Sequence, residues 1–263
     1  MTGIASINPF YAARLQPRLK RSHVDHVGEP ARMPRPADRD PTRWARLPAA
    51  PINGSPVPGL TSLYHSAEAG DYGDRGYPGN CGGNLIRDLI RYFRAKSVFD
   101  PMTGSGTCRD VCRELDVYCW SSDLHQGVDA CEPCDRPAGA FDVAWIHPPY
   151  WRMKLYTSDP RDLSRTPTME AFLQRYRLLI ANCAGAIHPG GKVIVLMGDY
   201  SDREAGYVPL VYHTKELAFS LGLKQHCTDV IRFSHGNSSS KKVYRSSFIP
   251  GLHDVCMIFE KAD

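Results

Sequence analysis

The feature that most limits how this chain can fold is the run Asp100-Pro-Met-Thr-Gly-Ser-Gly-Thr107. It follows Ser97–Asp100, a short apolar stretch that reads as a buried strand, and precedes an apolar repeat over residues 108–115 that reads as a helix. Strand, glycine turn and helix in that order make a nucleotide-type βα turn. Gly104 and Gly106 can take positive φ and leave no side chain in a ligand's way. The helix that follows offers free N–H groups. A second strand over 117–122 leads to Asp123 and Leu124, about 20 residues past the turn, where an acidic side chain accepts hydrogen bonds from ribose hydroxyls.

Three ligand classes compete for such a turn. No Gly-Lys-Ser/Thr ending follows it, which argues against a loop that cradles ATP or GTP phosphates. Arg109 stands where the dinucleotide fingerprint has its third glycine, so that fingerprint fails as well. Asp100 would repel pyrophosphate and suits a cationic, phosphate-free ligand such as S-adenosylmethionine. The expected cofactor contacts are Asp100, Pro101, Thr103, Gly104, Ser105, Gly106, Thr107, Asp123 and Leu124.

A second motif, His147-Pro148-Pro149-Tyr150, ends another predicted strand, Phe141–Ile146. Two consecutive prolines fix φ and remove two N–H donors, leaving carbonyls that only accept. The amino group of adenine or cytosine is a donor. A rigid carbonyl and an acceptor at position 147 can hold both amino hydrogens while Tyr150 stacks on the base. A base treated in this way must first leave its duplex.

On these two motifs the chain resembles the amino-group DNA methyltransferases, which modify N6 of adenine or N4 of cytosine. Asp100 to Thr107 is similar to motif I of that family and His147 to Tyr150 to motif IV. Gly79-Asn80-Cys81-Gly82-Gly83-Asn84 and the helix after it resemble motif X, which helps close the cofactor pocket, so the resemblance adds Asn80 and Cys81 to the cofactor contacts. It covers residues 77–260, and the order X, I, IV matches a permuted group with many adenine-modifying members. It implies a doubly wound, Rossmann-like α/β sheet of the class I methyltransferase kind, mostly parallel, with an antiparallel hairpin at the C-terminal end. It also implies S-adenosylmethionine as cofactor and DNA as partner.

Position 147 departs from the pattern, because the family has Asp, Asn or Ser there. Neutral imidazole accepts one hydrogen bond and imidazolium accepts none, and the reference pKa of about 6.5 puts that change near physiological pH. His147 is therefore expected to act as acceptor in its neutral form. Trp151 is similar to the cytosine-N4 branch and leaves the target base open.

Residues 61–263 are expected to form the catalytic domain, with 1–60 a Pro-rich arm in extended form. Ten of the 21 prolines lie in that arm, and no hydrophobic period survives there for a full helix or strand. Its nine Lys and Arg face four Asp and Glu. The chain as a whole is +4, so its positive charge resides in the arm. Such an arm can contact phosphates without reading sequence, or be a solvated tail or pack over the catalytic domain. No apolar run approaches the roughly 20 residues of a membrane span, and the N-terminus lacks a signal-peptide pattern, which points to the cytoplasm. The nine cysteines read as reduced thiols. Cys131-Glu-Pro-Cys134 is the one close pair, with His125 and Cys119 poorly placed to complete a zinc site; it reads as a surface turn, and no metal is expected.

The remaining chain alternates helices and strands. Leu85, Ile86, Leu89, Ile90 and Phe93 form one helical face, and Phe172, Tyr176, Leu179, Ile180 and Cys183 another. His188-Pro-Gly-Gly191 is expected to end that second helix before a strand over 192–197, with Gly198-Asp199 as a loop or turn after it. Residues 210–221 read as a helix, and 223–233 pairs with 252–261 as an antiparallel ribbon. The stretch between Asp123 and Phe141 is short, so the third strand of the usual sheet is expected to be vestigial.

With no room for a separate recognition domain, base reading falls to two loops. One supplies Trp151, Arg152 and Lys154. The other, over 235–251, supplies Lys241, Lys242, Tyr244 and Arg245 with Phe248. Short or relaxed sequence specificity is expected. Three functions stay in play: a DNA methyltransferase, an RNA or protein amide methyltransferase, and a silent nucleic-acid-binding subunit that lost turnover when position 147 became histidine. A restriction-modification role, other modification roles and the oligomeric state are left open.

Overall fold

Strands with apolar residues at every position, not every second one, are buried on both faces and belong inside a parallel sheet. Residues 143–146 and 193–197 have that composition, and the structure, a computed structural model, places both at the centre of an eight-stranded sheet. It describes residues 48–66, 70–133, 135–233, 249 and 251–262, all within one contact unit, Ala45–Asp263. Most of the expected arm, residues 1–47, and Lys241, Lys242, Tyr244, Arg245, Phe248 and Cys134 lie outside the described residues.

The elements follow in the order β1 (Leu63–His65), α1 (Asn84–Phe93), β2 (Ser97–Asp100), α2 (Thr107–Glu114), β3 (Tyr118–Ser121) and β4 (Phe141–Ile146). Then come α3 (Met169–Ala186), β5 (Ile187–Met197), β6 (Tyr200–Asp202), β7 (Gly206–Val208), α4 (Leu210–Ser220), β8 (Lys224–Gln225), β9 (Val230–Phe233) and β10 (His253–Glu260). The sheet runs β1-β9-β10-β5-β4-β2-β3, with β8 on β10 and β6-β7 a separate hairpin. Strands β3, β2, β4 and β5 are parallel, and β10 enters antiparallel between β5 and β9.

Alternation along the strands builds two cores. Phe99, Ala144, Ile146, Val193 and Val195 face α3 and α4, while Val98, Val143, Trp145, Ile194 and Leu196 face α1 and α2. Helices cover both faces, so the sheet is the doubly wound, mostly parallel α/β arrangement expected, with the antiparallel ribbon in place. No helix among the described residues is long and apolar enough to cross a membrane.

Two local details differ from expectation and a third agrees with it. His188-Pro-Gly-Gly191 does not separate helix from strand: α3 ends at Ala186, and β5 begins at Ile187. Ile187 already pairs with Phe141, and Gly190 N–H donates to Lys261 O at 2.9 Å, so ladder bonds override the turn composition. A short strand that was not expected, β1, lies at the start of the 61–263 segment and pairs parallel to β9. Between Leu124 and Phe141 the described residues hold a 3₁₀ turn, Leu124–Gln126, and no strand.

The ribbon also carries a buried ion pair. Arg232 on β9 donates through Nε and Nη2 to Asp254 on β10 at 2.9 and 2.5 Å, and through Nη1 to Cys81 O at 2.6 Å. The two side chains are 4% and 7% exposed, so neither charge has water to fall back on. Asp254→Ala is expected to destabilise the fold by about 3–5 kcal/mol in denaturant titration, because it strands the guanidinium. The double change Arg232→Met with Asp254→Leu should recover most of that loss.

Candidate active site

In an open parallel sheet a ligand crevice forms where neighbouring strands send their connections to opposite sides. Strand β2 leads through α2 to β3 on one side, whereas its other neighbour, β4, belongs to the opposite half of the sheet. The crevice outside the carboxyl ends of β2 and β4 holds a cavity of about 390 Å³, within the range of small-ligand sites. Both sequence motifs open into it. Asp100, Thr103, Gly104 and Thr107 line it from β2, and His147 to Tyr150 line it from β4.

The glycine turn has the backbone its composition requires. Gly104 and Gly106 have φ of 46° and 81°, and Gly106 N–H closes the turn on Thr103 O at 2.7 Å. Asp123 orients it: Oδ2 accepts from Gly104 N–H at 2.9 Å and Oδ1 from His125 N–H at 3.0 Å. The carboxylate expected to meet ribose is thereby fixed, and each oxygen keeps a lone pair. Pro101 and Leu124 also border the cavity.

Asp100 is 1% exposed, and its Oδ2 has no hydrogen-bond partner among the described residues. Ser121 Oγ and Ser122 Oγ, on the neighbouring strand end, are likewise buried and unpartnered there. Burial pushes the Asp100 carboxyl well above the usual carboxylate range. Of these three residues Asp100 lines the cavity, and an orphaned acceptor there fits a cationic or hydroxyl-bearing group.

The segment just before the run resembling motif X folds against this turn. Asp74 N–H donates to Ser105 O at 2.8 Å, and Gly73 N–H to Asp110 Oδ2 at 2.9 Å. Gly73 has φ of 66°, and a Cβ there would lie 2.7 Å from Ser105 O. Tyr77 rests over Gly104 and stacks on Tyr156 with ring centroids 6.0 Å apart. Asn80 borders the cavity, but its amide is engaged within the loop: Nδ2 donates to Tyr72 O and Asp74 O, and Oδ1 accepts from Gly82 N–H. Cys81 offers its carbonyl to Arg232.

On the opposite wall, Pro148 is buried, while His147, Pro149 and Tyr150 are half-buried. The His147 and Tyr150 rings meet edge to face with centroids 6.3 Å apart. Burial raises the Tyr150 phenol, so it is neutral. Gly198 packs under Tyr150, where a Cβ would come within 3.1 Å of Oη. Asp199 caps the turn to α4, accepting from Val211 N–H at 2.8 Å.

Trp151 does not face solvent as expected of a nucleic-acid contact. Its indole is 4% exposed, and Nε1 donates to Thr166 O at 2.9 Å. Arg152 and Lys154 are exposed, with Arg152 Nη2 2.8 Å from Glu204 Oε2. Sequence reasoning missed Asp162, which accepts from Tyr156, Thr157 and Ser164 N–H groups and so shapes the whole loop. It also missed Gly73, Tyr77 and the Arg232–Asp254 pair. Opposed charges in register on the predicted ribbon were the available signal for that pair.

The Cys131 segment is a turn with Glu132 and Pro133 exposed, but Cys131 itself is 3% exposed, and its N–H donates to Asp129 Oδ1. Among the described residues, the sulfurs of Cys108, Cys112 and Cys119 lie within 4.8 Å of one another. Three thiolates beside buried Asp100 would concentrate negative charge in an apolar layer; as neutral thiols they pack as small apolar groups.

No protein-family model and no curated protein matches the chain. Solved structures do. A Thermus thermophilus protein assigned as a DNA modification methylase is 19% identical over 51% of this chain and 52% of its own, with a TM-score of 0.39. The same protein has been solved with S-adenosyl-L-methionine. The chain thus spans about half the length of that relative. A SAM-dependent methyltransferase from Archaeoglobus fulgidus is 14% identical over 67% of this chain and 93% of its own, with a TM-score of 0.43. A Galdieria sulphuraria protein assigned as a sarcosine dimethylglycine methyltransferase is 14% identical over 76% and 94%, with a TM-score of 0.45.

The state of Asp100 has a measurable consequence. Unfolded, this carboxyl titrates near pH 4; folded, it keeps its proton to higher pH. Between those points the native state binds more protons than the unfolded chain, so this group's contribution to stability falls as pH rises. Asp100→Asn is therefore expected to raise the Tm at pH 7 and to leave it unchanged below about pH 4. Melting curves at the two pH values check this. Gly73→Ala would displace the turn at Ser105 and lower the Tm by about 2–8 °C.

Proposed function

We propose that the chain is a DNA methyltransferase that uses S-adenosylmethionine to methylate the exocyclic amino nitrogen of adenine or cytosine. The observation that carries this reading is that two motifs, distant in sequence, line one cavity from adjacent strand ends. One wall is a glycine turn with buried carboxylate and hydroxyl acceptors and no phosphate-binding lysine. The other is a rigid acceptor edge with a tyrosine ring beside it.

The residues present fit the cofactor. Asp100 and Asp123 would hold its cationic and hydroxyl groups, and Gly104, Ser105, Gly106 and Thr107 would let it approach the backbone. When bound, S-adenosylmethionine supplies an electrophilic methyl group on a sulfonium centre. His147 and the carbonyls of the Pro148–Pro149 turn accept the amino hydrogens and keep the nitrogen lone pair directed into the cavity. Tyr150 gives the base a flat face to stack on. The prolines hold this edge before any ligand arrives, which lowers the ordering entropy of the reaction. Residues 61–263 carry this chemistry. The basic segment 1–60 and the loop with Lys241, Lys242, Tyr244 and Arg245 supply phosphate contacts and stacking.

The test is incubation with methyl-labelled S-adenosylmethionine and unmodified duplex DNA, followed by nucleoside mass spectrometry. Methyladenine or methylcytosine is expected, and Tyr150→Ala and His147→Ala should each lower its yield about 100-fold or more. No label in DNA, but RNase-sensitive label when RNA replaces it, assigns the activity to RNA. Cofactor and DNA binding without transfer, with turnover gained in His147→Asp or His147→Asn, would identify a silent scaffold.

A neutral imidazole accepts and an imidazolium does not, so activity should fall as the medium is acidified. The His147→Asn variant should lose that acid limb. A wild-type profile flat from about pH 5.5 to 8 would refute the acceptor role.

A further inference from the structure

We propose that Met153 and Leu155 form an apolar wedge that enters a DNA duplex at the rim of the base pocket and fills the gap left by the displaced base. This rests on the function proposed above and specifies the partner of the same site as double-stranded DNA.

The segment is built to project outward. Trp151 is buried and bonded to Thr166, and its carbonyl accepts from Tyr200 Oη. Arg152 takes the left-handed conformation, with φ of 56°, which a non-glycine residue adopts only where its surroundings impose it. Its N–H donates to Ser164 O at 3.2 Å, and Met153 N–H donates to Tyr150 O at 3.3 Å. Four residues later the chain is pinned again: Tyr156 N–H reaches Asp162 Oδ2, and its ring stacks on Tyr77. Between these two anchors the four residues 152–155 are all exposed.

Their order is Arg-Met-Lys-Leu. Met153 is 50% exposed and Leu155 51%, and Met153 and Lys154 border the cavity mouth beside His147 to Tyr150. Other large exposed apolar residues, such as Tyr92, Leu178, Tyr212 and Phe219, lie on helices and do not border the cavity. Water offers two aliphatic side chains on a fixed turn nothing, whereas the apolar faces of stacked bases bury them. Lys154, between the two apolar residues, suits the phosphates that run along such a stack, whereas Arg152 would have to leave Glu204 to do so. Extruding a base leaves a hole in the stack, and a side chain that fills it offsets the unstacking. The placement of this apolar pair next to the base-acceptor edge therefore matches the one substrate form in which a hole arises. A single strand has none to fill.

That difference supplies the test. The double variant Met153→Ala with Leu155→Ala is assayed with labelled S-adenosylmethionine on native genomic DNA and on the same DNA after heat denaturation. Leu178→Ala serves as an exposed apolar control, and melting curves confirm that each variant is folded. The expected result is a loss of about tenfold or more on native DNA, with less than about twofold on denatured DNA, since only the duplex requires a wedge. Met153→Leu should retain activity on both. Equal losses on the two substrates, or no loss on native DNA, would overturn the wedge while leaving the methyltransferase reading intact. Absence of wild-type methylation on either DNA form would instead refute the function on which the wedge rests.

Discussion

The parallel pairing of β2 with β4 is the constraint on which the site depends. Val98 is opposite Val143 and Phe99 opposite Ala144, so the two strands leave the sheet side by side and deliver Asp100 and His147 to one crevice. The pairing is fixed from its far end. Asp142, at the start of β4, accepts from the N–H groups of Lys96 and Ser97 at 2.6 and 2.9 Å, which sets where β2 begins. A slip of one residue would turn Phe99 and Ala144 into the opposite core, so two-sided burial protects the register as well. The geometry of the ligand-facing end is thus inherited from hydrogen bonds and packing that never touch a ligand.

The site stores unmet polar demand in one wall and unmet apolar exposure on its rim. Asp100 Oδ2 is buried in the cavity wall without a partner among the described residues, although most buried polar atoms in a protein are satisfied. The fold accepts that destabilisation where a cationic, hydroxyl-bearing ligand would remove it. The opposite arrangement holds for the loop after Tyr150, where methionine and leucine face water beside basic residues. A fold optimised for stability alone would bury the second set and pair the first.

What the sequence showed, it showed through local chemistry. Two-sided strands appear as unbroken apolar runs, and a turn with two left-handed residues needs its glycines, so β2, β4, Gly104 and Gly106 could be placed from composition. Burial that depends on a distant partner could not. Trp151 follows the acceptor motif and looks like a surface aromatic, yet its position is set by the carbonyl of Thr166, fifteen residues on. His188-Pro-Gly-Gly191 has turn composition, and only the ladder to Lys261 makes it strand. Strands of two or three residues, such as β6, β7 and β8, are too short to show a period of two. Gly73 and Tyr77 act on the cofactor turn through tertiary contact, for which a single sequence carries no local signal.

The loop over 151–166 divides its work between ends and middle. Trp151, Asp162 and Thr166 tie its two ends to the core, and Asp162 alone accepts from three backbone N–H groups. The turn at His147 to Tyr150 is thus tied through Trp151 to the core. In the middle, backbone bonds from Arg152 and Met153 fix the turn, while the side chains of Met153, Lys154 and Leu155 stay exposed. Separating chemistry from contact in this way suits a chain with little recognition surface among its described residues. The position of this turn is set by the sheet, and in the function proposed above any binding energy the rim gains would be free to oppose the unstacking of a base.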